Sequence, residues 1–163
     1  MKRSVLFLIA LTVVSTPLFA ASKNANLDIS ASVAANCTIT TGPVAFGAYD
    51  PVGANAAADL LATGSVTVAC TKGSVTTIDL GNGGNFSGGS RRMASGTDFL
   101  NYALYKDAAR TQVWGTGLAG GTTAAYNAAS RNSTSLTVYG TVPQAQDVTV
   151  GAYSDTVIAT INY

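Results

Sequence analysis

The last eleven residues, Tyr153-Ser-Asp-Thr-Val-Ile-Ala-Thr-Ile-Asn-Tyr163, constrain the fold more than any other stretch. Val157, Ala159, Ile161 and Tyr163 alternate with Ile158, Thr160 and Asn162, the period of a strand with one face in a core. As the sequence stops at Tyr163, no hairpin partner is expected to follow, and another strand must cover the edge. An open edge invites association unless a partner fills it. A second alternating run, Leu27-Asp-Ile-Ser-Ala-Ser-Val33, stands near the other end. It reads either as the first strand of its own domain or as a strand given to another molecule by β-strand addition. The residues alone leave both readings open.

Residues 1–22 read as a secretory signal peptide, not as part of the fold. Lys2 and Arg3 form a charged start, Val5 to Val14 an apolar core broken only by Thr12, and Pro17 to Ala21 a small-residue exit. Cleavage after Ala20 or after Ser22 fits equally. The apolar run is too short to span a membrane, and no later run approaches the required length of about 18 residues. Removing Lys2 and Arg3 leaves seven basic against eight acidic side chains, a net of −1, so nucleic acid is not an expected partner. In an exported chain the two cysteines, Cys37 and Cys70, are expected to form a disulfide.

The rest of the chain reads as one all-β domain. There is no Glu and no His, and charged residues are only 10 % of the total, which disfavours long amphipathic helices. Short runs of Val, Thr, Ile and Tyr are broken by Gly, Asn and Ser, as in a β-sandwich. Strands are expected from Cys37, over 65–71 with Val66, Val68 and Cys70 inward, and over 75–80 with Ile78 and Leu80 inward. Others are expected over 99–106 with Leu100, Tyr102 and Leu104 inward, over 136–142, and at the end, six or seven in all. Residues 53–63 read as one helical turn or a loop, and 115–121 as a Gly-rich loop.

Motifs for catalysis are weak. Gly115-Thr-Gly117-Leu-Ala-Gly120 has the letters of a dinucleotide-binding loop, but no helix pattern follows to hold a pyrophosphate. Without His there is no Ser–His or Cys–His pair and no His-ligated metal. The eight Asp are dispersed and mostly at turns, which disfavours a carboxylate pair for glycoside hydrolysis. Arg91-Arg92 reads as a solvated edge. Asn36, Asn85 and Asn132 begin glycosylation sequons by letter. Tyr102 reads as core; Trp114 could be core or a sugar platform.

One set of residues points further. The alternating N-terminal run leads into Asn36-Cys37-Thr38-Ile39, followed by Phe46-Gly47 with Tyr49 and by Gly64-Ser-Val-Thr-Val-Ala-Cys70. Then come Leu100-Asn-Tyr-Ala-Leu-Tyr-Lys-Asp-Ala-Ala-Arg110 and the closing Gly151-Ala-Tyr-Ser-Asp-Thr-Val stretch. This set resembles the spore coat U domain family, which includes pilins of the archaic chaperone–usher pathway. The resemblance covers the chain from about residue 24 onward and is weakest over 111–135.

The resemblance implies an incomplete immunoglobulin-like, Greek-key sandwich over 37–163 that lacks its final strand, preceded by a donor extension over 23–36. Leu27, Ile29, Ala31 and Val33 would be the donor side chains, Ala31 being small for a deep pocket. The strand bearing Val157, Ala159, Ile161 and Tyr163 would edge the acceptor groove, and the Tyr163 carboxylate would anchor basic chaperone residues. Implied partners are a periplasmic pilus chaperone, an outer-membrane usher and identical or related pilin subunits. The implied product is a cell-surface fibre for adhesion and biofilm, with neither catalysis nor cofactor. Two alternatives stand beside it: a spore coat structural protein of the same fold, and a monomeric secreted module that binds carbohydrate or a surface.

Overall fold

The structure, a computed structural model, describes residues 19–163. The expected signal peptide lies mostly outside the described residues. Residues up to Ser32 and residues 33–163 are separate units and are described one at a time. In the first, residues 19–32 join no strand and every side chain is exposed. Leu27 is 84 % and Ile29 87 % exposed. Among the described residues no helix is long and apolar enough to cross a membrane.

The second unit holds eight strands: β1 (Cys37–Gly42), β2 (Leu60–Cys70), β3 (Val75–Leu80), β4 (Arg91–Ser95), β5 (Asp98–Tyr105), β6 (Ala124–Asn127), β7 (Thr134–Val142) and β8 (Ala159–Asn162). They form two sheets, ordered β1-β2-β7-β5-β4 and β6-β3-β8, with every ladder antiparallel. The alternation seen in the sequence places Val66 and Val68 of β2, Ile78 and Leu80 of β3, Leu100, Tyr102 and Leu104 of β5, and Val138 and Val142 of β7 in one core. Trp114 joins them at 1 % exposure, its Nε1 donating to Ile78 O at 2.9 Å, which settles it as core. The disulfide Cys37–Cys70 is formed between residues directly opposite each other in the β1–β2 ladder.

Several elements differ from the sequence expectation. Residues 51–58 form turns and bends, and β2 starts at Leu60, because β7 supplies a ladder partner as far as Leu60↔Val142. Gly64 interrupts the alternation there for a reason of space: a Cβ would stand 2.6 Å from Val44 Cγ2. The expected final strand is short, since only Ala159–Asn162 pair with β3. β6 follows the Gly-rich loop, where no strand was expected. Arg91 is 1 % exposed, so the reading of a solvated basic pair fails for it. Its strand turns into β5 through Gly96-Thr97, with Gly96 at φ 61° supplying the left-handed position of a tight hairpin.

Candidate functional site, a groove between two sheet edges

β1 ends one sheet and β8 ends the other, and no ladder joins them. Residues 43–49 after β1 and 148–157 before β8 line the space between. Tyr49 fastens the first segment, donating to Pro143 O at 2.9 Å and accepting from Gln146 N at 2.9 Å. Val44 and Phe46 lie over Gly140, where a Cβ would come within 2.7 Å of both. Glycine at 140 thus lets this segment settle on the sheet.

The second segment is fastened by two carboxylates. Asp98 Oδ2 accepts Thr149 N at 2.6 Å and Tyr153 Oη at 3.1 Å. These bonds, the Thr149 amide foremost, hold the Asp98 carboxyl down at about 2. Asp155 Oδ1 accepts Gly84 N at 2.9 Å, and its Oδ2 accepts Tyr102 Oη at 2.6 Å. Burial, helped by that carboxylate, pushes the Tyr102 phenol well above its ordinary value. Between these anchors Ser154 exchanges two backbone bonds with Ala94 of β4.

Two open cavities of about 690 and 480 Å³ result, and they share Val44, Phe46, Met93 and Tyr153. Together they form one groove with apolar walls. The larger is bounded by Pro51, Leu60, Val142 and Val148–Ala152; the smaller by Gly42, Val66, Leu104, Val157 and Ala159. Such a seam, with a sheet edge on each flank, offers alternating side-chain pockets and unpaired backbone groups to an extended segment. Among the described residues no group of three or more His, Cys, Asp or Glu is placed to hold a metal ion.

The residues singled out from the sequence fall as follows. Val157, Ala159 and Ile161 are half-buried against the core, and the first two line the smaller cavity. Tyr163 lies beyond β8 and is 60 % exposed. Leu27, Ile29, Ala31 and Val33 are exposed and belong to no sheet. Sequence reasoning missed Val44, Met93 and Val148 as groove walls, because none sits in an alternating run. Phe46, Tyr49, Tyr153 and Asp155 stood out as motif residues, without their structural roles. Arg91 was missed too: it bridges the sheets, donating from Nη2 to Leu80 O at 2.6 Å and Trp114 O at 2.8 Å. Burial lowers its pKa.

The geometry defines an all-β, immunoglobulin-like sandwich with an open seam between two edge strands. The family model for the Spore Coat Protein U domain matches residues 23–160, and the chain belongs to that family. Protein U of Myxococcus xanthus is 41 % identical over 162 residues, covering 91 % of this chain and 89 % of that protein. Among solved structures, the fold is similar to the CsuC–CsuE chaperone–tip adhesion subunit pre-assembly complex from archaic chaperone–usher Csu pili of Acinetobacter baumannii. That match has a TM-score of 0.55 at 23 % identity and covers 80 % of this chain and 40 % of the matched chain.

Proposed function

We propose that this protein is a structural subunit of a bacterial surface fibre that polymerises by donor-strand complementation. The carrying observation is the pairing of opposites within one sequence: an apolar groove flanked by the edges of β1 and β8, and an exposed, unpaired run with apolar residues at every second position. Leu27, Ile29, Ala31 and Val33 of one copy fill the groove of the next, and their backbone pairs with the edge of β8. Before assembly a periplasmic chaperone occupies the groove, and an outer-membrane usher exchanges it for the next subunit. The leader at 1–22 starts export, and the product is a fibre at the cell surface serving adhesion and biofilm formation. Membership of the Spore Coat Protein U domain family supports the same assembly chemistry in a spore coat as the second reading.

Ile29→Asp in the full chain, expressed with its chaperone and usher, tests this reading. A charge on the apolar face of the donor is expected to abolish fibres while leaving chaperone capture intact, since the groove is unchanged. Fibres at the unmodified level would overturn the reading.

A further inference from the structure

Exposed basic side chains stand at one end of the domain and exposed carboxylates at the other, where the half-buried Arg92 lies over Phe99, and the extension leaves from the basic end. β2 runs from Leu60, level with Val142, to Cys70, level with Cys37. At the Cys70 end, Thr71 N donates to Asn36 O at 2.9 Å, and Thr71 Oγ1 accepts Asn36 N at 3.1 Å and donates to Ala34 O at 3.3 Å. The root of the extension is therefore fixed there. Lys72 is exposed beside it. Arg131 is exposed in the loop after Ala128, whose backbone is bonded to Gly73 and Ser74.

At the Leu60 end stand three exposed carboxylates. Asp59 accepts Gln144 N at 2.9 Å, Asp147 follows three residues later, and Asp50 opens the turn that holds Asn55, whose carbonyl accepts Ala145 N at 2.8 Å. The larger cavity opens at this acidic end, beside Pro51 and Val148. From there the groove follows the chain into β8, whose Asn162 lies opposite Thr77, towards the basic end.

Resting on the strand-donation reading, we propose that consecutive copies abut end to end through an ionic contact: Lys72 and Arg131 of one copy against Asp50, Asp59 and Asp147 of the next. Only Ala34, Ala35 and Asn36 separate Val33 from Cys37, a reach of at most about 14 Å. If Val33 is seated in the neighbour's groove, the two domain ends must nearly touch. Insertion at the acidic end joins basic end to acidic end and repeats without limit, as an open filament requires. Insertion at the basic end would set two basic ends face to face. The donor therefore runs antiparallel to β8, with Val33 in the larger cavity and Leu27 deeper. The charge pairing speeds and orients docking and disfavours the reversed arrangement.

Carbodiimide treatment of fibres of the unmodified protein, followed by peptide mass spectrometry, tests the contact. The expected result is an amide between Lys72 and Asp50, Asp59 or Asp147. Such a link must join two molecules, because β2 alone separates the ends of one domain by about 33 Å. Charge reversal by K72D with R131D is expected to slow fibre growth about tenfold, and added reversal of the three aspartates to restore it. Fibres that grow without the link and ignore K72D/R131D would overturn the end contact and leave strand donation standing. If self-association is the same with and without residues 23–33, strand donation fails, and the end contact with it.

Discussion

Tyr102 Oη donates to Asp155 Oδ2 at 2.6 Å, so the inward tyrosine of β5 holds the segment that leads to β8. The other carboxylate oxygen accepts Gly84 N at 2.9 Å and Asn85 N at 3.3 Å, tying in the turn after β3. One aspartate thus joins three chain segments at the groove wall. Asp155→Ala is expected to cost about 2–4 kcal/mol, because it strands the buried Tyr102 phenol and removes the acceptor of the Gly84 and Asn85 amides. Tyr102→Phe should cost less, about 1–2 kcal/mol, since the carboxylate keeps its amide partners. Denaturant midpoints of each variant against the unmodified protein check both.

Arg91 should be as sensitive. Its guanidinium supplies Leu80 O, Gly81 O and Trp114 O, all at the junction of the two sheets. Arg91→Met is expected to lose about 2–4 kcal/mol by leaving those carbonyls unpaired. Arg91→Lys should recover little, because a single ammonium cannot reproduce the planar fork. Equilibrium unfolding distinguishes these outcomes.

Much of this fold was legible because alternation is a local signal. Val66 and Val68, Ile78 and Leu80, and Leu100, Tyr102 and Leu104 all face inward as their spacing implied. The groove was less legible. Val44, Phe46 and Val148 lie in irregular segments whose positions are set by contacts far along the chain, such as Tyr49 to Pro143. Arg91 was misread because a charged side chain normally marks a surface. Here three carbonyls around residues 80, 81 and 114 make its burial tolerable, and no sequence pattern announces them. β8 proved shorter than its alternation because pairing with β3 stops at Leu80↔Ala159.

The Cys37–Cys70 bond closes a loop with a sequence separation of 33. The chain-entropy model gives it about 3.5–4 kcal/mol. Replacing both cysteines by Ser is expected to lower the thermal midpoint by an amount matching that loss. It should also loosen the root of the extension, which differential scanning calorimetry and amide exchange at residues 34–37 would report.

Acid should act on the groove wall through Asp98. Its carboxyl is held at about 2, below the ordinary 3.8, by Thr149 and Tyr153. A depressed carboxylate favours the folded state above the unfolded value, and that contribution fades as pH falls from 3.8 towards about 2. Asp98→Asn is expected to lower stability at neutral pH and to flatten its decline across that window. Unfolding midpoints taken through the window for both proteins check this.

Strand donation requires that the domain lack a strand which its own extension supplies to a neighbour. The most direct measurement compares two chains made without a chaperone: the mature protein, and one in which residues 23–36 are moved from the start to a short flexible linker after Tyr163. Soluble monomer and thermal midpoint are read for each. A stable monomer is expected only from the rearranged chain. An equally stable monomer from the mature chain would contradict it, because the sandwich would then be complete without a donated strand.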